Sequence, residues 1–351
     1  MARARKHGAR GARILAREAA PRLDPRFVRG LHRDLLAWFA TARRPLPWRA
    51  DRDPYRVWIS EAMLQQTRVE TVIPYFARFL ARFPTVEALA EARVDDVLAA
   101  WSGLGYYRRA RTLHATARAL VERHGGAFPR EREHVLDLPG IGPYTAGAVL
   151  SIAYDLPEAL VDGNVARVFA RLFEIDGAPG AKEFEERVWS LARELVPARG
   201  GAGDWNQALM ELGALVCTPR EPECGACPVR SACKALAAER VHELPRPKLR
   251  RAAVAVELVL LVDARRAGLL MEERPETGRM AGLWQLPTIE LGARARIAPL
   301  EWPAGARVVL GDSMGELAHT ITHHRFRAAL RRGELGGRAR PERWRRVRAE
   351  E

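Results

Sequence analysis

The spacing of apolar positions divides the chain into a long helical part and a shorter strand-forming part. Leu31, Leu35, Trp38 and Phe39 recur at i, i+4, i+7 and i+8, the stripe by which one helix face is buried. The loop Arg43-Arg44-Pro45-Leu46-Pro47-Trp48 breaks this pattern. Asp53-Pro54-Tyr55 then leads into a helical stretch from Val57 to Phe83, with an interruption expected at Pro74. Further helices are predicted at 94–101, 107–123, 131–137, 143–153, 164–172, 183–196 and 204–216, with Gly, Pro or Asp at many joints. No period-2 run precedes residue 250, so the first two-thirds reads as all-α.

A Pro-rich basic segment, His242 to Lys248, separates that part from the β-branched run Ala253 to Val262. Leu269-Leu270-Met271-Glu272 follows a turn, and the two runs read as a strand pair opening a smaller α+β domain. The expected organisation is a basic arm (1–29), a helical domain (30–240), a linker (241–252), the α+β domain (253–332) and an Arg-rich tail (333–351). A length of 351 residues suits two cores, and no internal repeat is visible.

Charge narrows the partner. The net charge is +14, from 57 basic against 43 acidic residues, and only Lys6, Lys182, Lys234 and Lys248 are not arginine. Biased composition explains arginine over lysine but not the basic excess, which points to a polyanion such as nucleic acid. No apolar run approaches the roughly 18 residues of a membrane span, and the basic N-terminus lacks the apolar core of a secretory signal. A cytoplasmic, nucleoid-associated monomer is expected.

All four cysteines fall within seventeen residues, Cys217-x6-Cys224-x2-Cys227-x5-Cys233. In a reducing compartment such a cluster binds metal more often than it forms disulfides. Zinc sites usually pair Cys-x2-4-Cys elements across a longer loop, whereas one compact loop suits the four irons of a [4Fe–4S] cluster. Zinc is the alternative. Arg220, Arg230 and Lys234 flank the loop and would present cations to phosphate; redox chemistry does not follow.

Leu138-Pro139-Gly140-Ile141-Gly142-Pro143-Tyr144 places two glycines around an apolar residue just before a helix. Amides at such a turn can hold a phosphate oxygen, although an ordinary helix–turn–helix joint looks the same. Twenty residues past Gly142, Asp162 precedes another helix in Val161-Asp162-Gly163-Asn164. It reads equally as an N-cap or as a carboxylate kept ionised by the helix N-terminus to stabilise a developing cation.

Together these residues resemble the helix-hairpin-helix DNA glycosylases of the endonuclease III superfamily. Within it, Trp58-Ile59-Ser60-Glu61-Ala62-Met63-Leu64-Gln65-Gln66-Thr67, Gly103-Leu104-Gly105-Tyr106-Tyr107 and the Asp162 motif are similar to MutY-type adenine glycosylases, over about residues 30–325. The resemblance implies an all-α helix-hairpin-helix core with an iron–sulfur loop and a Nudix-like C-terminal domain. It implies removal of adenine opposite 8-oxoguanine or G in duplex DNA, which initiates base excision repair. Glu61, among apolar neighbours, would protonate adenine at N7. Asp162 would stabilise or capture the sugar cation, with Asn164 and Tyr144 orienting it. Gln65, Gln66 and Tyr106 would fill the gap beside the orphaned base, and Gly140 and Gly142 would meet the backbone. A lysine often found two residues after Asn164 is here Ala166.

Bifunctional relatives carry a Schiff-base lysine where this chain has Tyr144, and no lysine lies between Lys6 and Lys182. A monofunctional enzyme is expected. In the C-terminal domain, Arg274 to Pro287 resembles a Nudix-like strand and loop, but paired glutamates for Mg²⁺ are missing from Thr288 to Gly292. Thr322 and His323, in His319-Thr320-Ile321-Thr322-His323-His324, match the loop by which relatives recognise 8-oxoguanine, with Ile321 in place of an aromatic residue. The competing readings are a thymine or uracil mismatch glycosylase and a non-catalytic iron–sulfur DNA-binding protein.

Overall fold

Twelve helices precede eight strands among the residues that the computed structural model describes, namely 23–248, 252–265, 268–275, 280–291, 302, 306–336 and 342–348. The helices are α1 (Pro25–Ala42), α2 (Pro54–Leu64), α3 (Val69–Arg82), α4 (Val86–Glu91), α5 (Val94–Trp101), α6 (Arg108–His124), α7 (Arg132–Leu136), α8 (Pro143–Ala148), α9 (Gly163–Leu172), α10 (Lys182–Leu195), α11 (Ala202–Leu215) and α12 (Lys234–Ala237). The strands are β1 (Val254–Val262), β2 (Ala264–Arg265), β3 (Gly268–Glu273), β4 (Trp284–Gln285), β5 (Thr288–Leu291), β6 (Arg307–Ile321), β7 (His324–Gly336) and β8 (Trp344–Val347). Two compact units result, one from Met1–Pro45 with Gly147–Arg246, the other from Leu46–Ala146 with Pro247–Glu351. No described helix is long and apolar enough to cross a membrane.

In the first unit α1 starts earlier than its apolar stripe, because Asp24 accepts from the Arg26 amide (2.7 Å) and Pro25 fits the first turn. The helix therefore begins inside the segment assigned to a basic arm; residues 1–22 lie outside the described set. Leu31, Leu35 and Phe39 are buried, each contributing about 1.5–3 kcal/mol of transfer free energy. Arg44 donates through Nε and Nη2 to both oxygens of the buried Glu211 on α11 (2.9 and 3.0 Å), a two-point pairing that keeps a buried carboxylate compensated. The linker expected from residue 241 is packed over its first half. Val241 and Leu244 are buried with Ala235, and Arg246 pairs with Asp176.

In the second unit aromatic pairs link α2, α3 and α5 with the segments beside them. Trp48–Phe76, Phe79–Trp101 and Trp58–Phe128 meet edge-to-face at 5.6, 6.0 and 5.3 Å, worth about 0.5–1.5 kcal/mol per pair beyond area burial. The interruption expected at Pro74 falls elsewhere: Pro74 lies inside α3, and the break is at Gln65–Arg68. Pro74 and Glu70 are both exposed, so water can satisfy the carbonyl that proline leaves without a donor.

The C-terminal α+β domain is represented among the described residues by its sheets, β5-β1-β7-β6 and β2-β3-β4 with β8 beside β3. β1 and β3, expected to pair with each other, belong to different sheets. β1 instead runs parallel to β7 from Val254↔His324 to Val262↔Arg332. Between them the buried Asp263 accepts from Arg346 Nη2 (2.8 Å) and the Leu335 amide (2.9 Å), anchoring a corner where the chain changes sheets. The tail expected from Gly333 is ordered where described. Gly333 to Gly336 complete β7, and β8 pairs with β3 because Trp344 is buried and donates to Glu272 (3.0 Å).

Candidate active site

Two carboxyl groups of opposite construction stand out, one in each unit. Glu61 lies on α2, which is buried on nearly every face from Tyr55 to Met63. Asp53 caps this helix, accepting from the amides of Tyr55 (2.7 Å) and Arg56 (3.2 Å), with Pro54 at its first position. Glu61 is only 5% exposed. The Tyr144 hydroxyl donates to its Oε2 in a very short hydrogen bond. Tyr144, expected beside Asp162, thus engages the acid.

Tyr144 is placed by the hairpin between α7 and α8. Gly140 adopts φ +70°, and a Cβ there would stand 1.8 Å from Thr112 Cγ2, so only glycine fits the turn. Ile141 is buried beneath it, and Pro143 starts α8. Gly142 has open space where a Cβ would project, leaving room for a backbone to approach. The helix then widens into a π turn over Val149–Ala153, a feature often found near functional sites.

Asp162 is the N-cap of α9. Its Oδ1 accepts from the Val165 amide (2.7 Å) and its Oδ2 from Asn164 Nδ2 (3.0 Å). Arg167 donates to Asn164 Oδ1 (2.8 Å), which turns the amide so that its NH₂ faces Asp162. The same guanidinium reaches the carbonyls of Gly213 (2.7 Å) and Cys217 (2.8 Å). A Cβ at Gly213 would approach Asn164 Cβ to 2.6 Å, so glycine lets α11 press against the Asn164 turn. The helix terminus and its hydrogen bonds favour the anion, as the sequence suggested. Burial outweighs them, and the Asp162 carboxyl is held above the usual aspartate range. If Asp162 acts as an anion, single-turnover excision must fail on acidification at a pH above that of an ordinary aspartate. An acidic limb at or below the ordinary value would contradict this.

Two of the three expected DNA-wedge residues share a backbone property. Gln66 (φ +58°) follows the end of α2, and Tyr106 (φ +49°) precedes α6; both are exposed, as is Gln65. Left-handed backbone at non-glycine residues costs energy and tends to cluster at functional sites. Thr322, at the β6–β7 hairpin, has φ +55° and is likewise exposed, with its hydroxyl 3.4 Å from His323 Nδ1.

The four cysteines line one small cavity with Arg171, Val216, Pro222, Leu236 and Val241. All four are of intermediate burial, and no disulfide joins them. Arg171 donates to Cys217 Sγ (3.3 Å) and to the Thr218 carbonyl (2.7 Å), while the Val229 amide faces the Cys227 sulfur and the Leu236 amide faces that of Cys233. Burial pushes the Cys227 thiol up to about 11, so its thiolate needs cations alongside it. Among the described residues no three His, Cys, Asp or Glu side chains converge on a single ion position. Arg220, Arg230 and Lys234 are exposed around the loop.

Sequence reading missed Arg167 and Arg171. Their only signal was spacing, since Arg167 lies three residues after Asn164 on the same helical face.

Residues 59–194 match the model of the HhH-GPD superfamily base excision DNA repair proteins. The adenine DNA glycosylase of Rattus norvegicus is 37% identical over 356 residues, covering 84% of this chain and 69% of that one. The adenine DNA glycosylase of Buchnera aphidicola subsp. Schizaphis graminum is 35% identical over 269 residues, 76% of each chain. Among solved structures, a thermostable thymine-DNA glycosylase superposes with a TM-score of 0.54 at 31% identity, covering 61% of this chain and 98% of its own. A non-covalent endonuclease III–DNA complex (TM-score 0.50, 22% identity, 63% and 100% coverage) shares the fold. The buried glutamate, the hairpin and the capped aspartate thus sit in the helical fold of this superfamily, and the chain belongs to the adenine DNA glycosylase family.

Proposed function

We propose that the protein is a monofunctional glycosylase that hydrolyses the N-glycosidic bond of adenine mispaired with 8-oxoguanine or G in duplex DNA, initiating base excision repair. The observation that carries this is the pair of carboxyl environments, one sealed among apolar side chains and bonded to a phenol, the other an N-cap. Adenine leaves poorly unless protonated, and its departure leaves a cation-like sugar. The reaction therefore requires one proton donor at the base and one anion at the sugar. Glu61, buried among apolar side chains and oriented by the Tyr144 hydroxyl, is the group suited to protonate N7. Asp162, once ionised, stabilises the sugar cation or captures it before water completes hydrolysis, and Asn164 holds it in place. With Tyr144 in place of a Schiff-base lysine and no lysine between Lys6 and Lys182, the strand stays intact.

Cys217, Cys224, Cys227 and Cys233 would hold a [4Fe–4S] cluster. Four thiols distributed around one cavity, with amide and guanidinium donors aimed at sulfur, fit a multi-iron cluster better than a single zinc ion. The cluster supplies structural cross-linking of the loop, which presents Arg220, Arg230 and Lys234 to phosphate. Cys227→Ser is therefore expected to lower thermal stability and weaken duplex binding about tenfold or more before it slows the chemical step. A variant that folds and binds DNA at parental affinity would contradict that role.

The C-terminal domain reads as a Nudix-like module without hydrolase activity, in which Thr322 and His323 at the hairpin tip contact 8-oxoguanine. The enzyme would act as a monomer on cytoplasmic, nucleoid DNA. The structural likeness to a thymine-DNA glycosylase supports a second reading, a thymine or uracil mismatch enzyme. Incubation with duplexes holding A·8-oxoG, A·G, T·G or U·G, followed by alkali, separates the readings. Cleavage confined to the first two is expected. Cleavage confined to T·G or U·G would overturn the adenine assignment, and none at all would favour a binding protein.

A further inference from the structure

Arg109, on α6, belongs to no motif recognised in the sequence, yet its guanidinium joins two separate turns. Nη1 donates to the carbonyls of Ala62 (2.9 Å), Met63 (2.9 Å) and Gln65 (2.5 Å) at the end of α2. Nη2 donates to Thr67 Oγ1 (3.2 Å) and to the carbonyls of Leu104 (3.2 Å) and Gly105 (3.3 Å). The planar group also lies 5.3 Å from the Trp101 ring centre and 5.5 Å from that of Tyr106.

Seven non-glycine residues among those described have positive φ, and two of them, Gln66 and Tyr106, sit on the two turns that Arg109 joins. Left-handed backbone at Gln or Tyr persists only where the surroundings over-determine it. The last carbonyls of a helix also need donors, and glycine, the usual residue at such an end, is absent after α2. One guanidinium meets both needs. No carboxylate pairs with Arg109 among the described residues, so its two Nη groups are directed at these carbonyls and the Thr67 hydroxyl.

We infer that Arg109 is a positioning residue that locks the Gln65–Gln66 turn and the Gly105–Tyr106 turn into a single rigid wedge, so that both enter the base stack together when the target nucleotide is extruded. This rests on the proposed wedge role of Gln66 and Tyr106. The wedge must replace stacking and pairing lost on extrusion, and a mobile wedge cannot hold the base out. Lysine keeps the charge but concentrates three donors at one point, so it can reach one turn and not span both.

The test compares Arg109→Lys, Tyr106→Ala and Thr67→Val with the parent. Extrusion is read as the fluorescence rise of 2-aminopurine next to the target, in a duplex whose target nucleoside carries a 2′-fluorine that resists cleavage. Excision is read from single-turnover rates on A·8-oxoG duplex, and folding from thermal melting. Arg109→Lys should melt near the parent and bind the fluorinated duplex within a few-fold. It should lose the fluorescence rise and slow excision about 10²-fold, as should Tyr106→Ala. If Tyr106→Ala keeps both signals, the wedge reading fails and this inference falls with it. If Tyr106→Ala loses them while a folded Arg109→Lys keeps them, the role of Arg109 alone is overturned. Should Arg109→Lys not fold, Thr67→Val decides, because it removes one Arg109 acceptor, together with the long hydrogen bond from Thr67 Oγ1 to the Gln65 carbonyl (3.5 Å), and leaves the other Arg109 contacts in place. A few-fold slower excision with a diminished fluorescence rise is expected, and parental behaviour would refute the inference.

Discussion

Asp162→Asn is expected to abolish adenine excision, by about 10³-fold or more in single-turnover rate, while duplex binding stays within a few-fold of the parent. Asparagine preserves the shape of the side chain and, through Oδ1, the cap on the Val165 amide. It removes the negative charge that the proposed mechanism sets against the sugar cation. The Asn164 amide is fixed by Arg167 and would then meet a second NH₂, so one hydrogen bond is also lost. That loss disturbs the local turn but not the hairpin or the wedge turns, which explains why binding survives. Near-parental excision by this variant would remove Asp162 from the mechanism.

Glu61→Gln should cost about 10²–10⁴-fold, the usual contribution of a positioned general acid. Glutamine can still accept from Tyr144 and is nearly isosteric, so α2 should remain folded and the thermal midpoint should move little. The deficit is predicted to concentrate in the chemical step. Measured affinity for a duplex holding the 2′-fluorinated target should therefore match the parent. A second signature follows from leaving-group chemistry: a base that departs readily without protonation needs no acid, so the variant's deficit should shrink on such a substrate. An equal loss on both would place Glu61 in binding rather than proton transfer.

The sequence was most legible where local chemistry is decisive. Helix spacing located α5, α9 and α11 to within about two residues, since periodicity and caps are local signals. Glu61, Asp162 and the cysteine loop were visible because spacing relates them to a known family pattern. The burial of Asp162 was not visible. That is why the helix terminus at Asp162 suggested a readily ionised carboxylate, whereas desolvation shifts it upward. The break after α2 was also misplaced, because Pro74 carries a strong local signal and Gln66 in a left-handed conformation carries none. Arg109 and Arg167 were hidden among 53 arginines, and only contacts 42 to 50 residues apart in sequence distinguish them. The parallel pairing of β1 with β7 joins segments seventy residues apart, and no local rule links them.

In the proposed mechanism this chain breaks the bond to adenine and nothing else, with Glu61 and Asp162 as its chemical groups. That mechanism is tested most directly by chromatography of both products from an A·8-oxoG duplex, run before any alkali. Free adenine and an intact strand bearing an abasic site, in equal amounts, are predicted, with neither product from Asp162→Asn. Strand cleavage without alkali, or release of a base other than adenine, would overturn that mechanism.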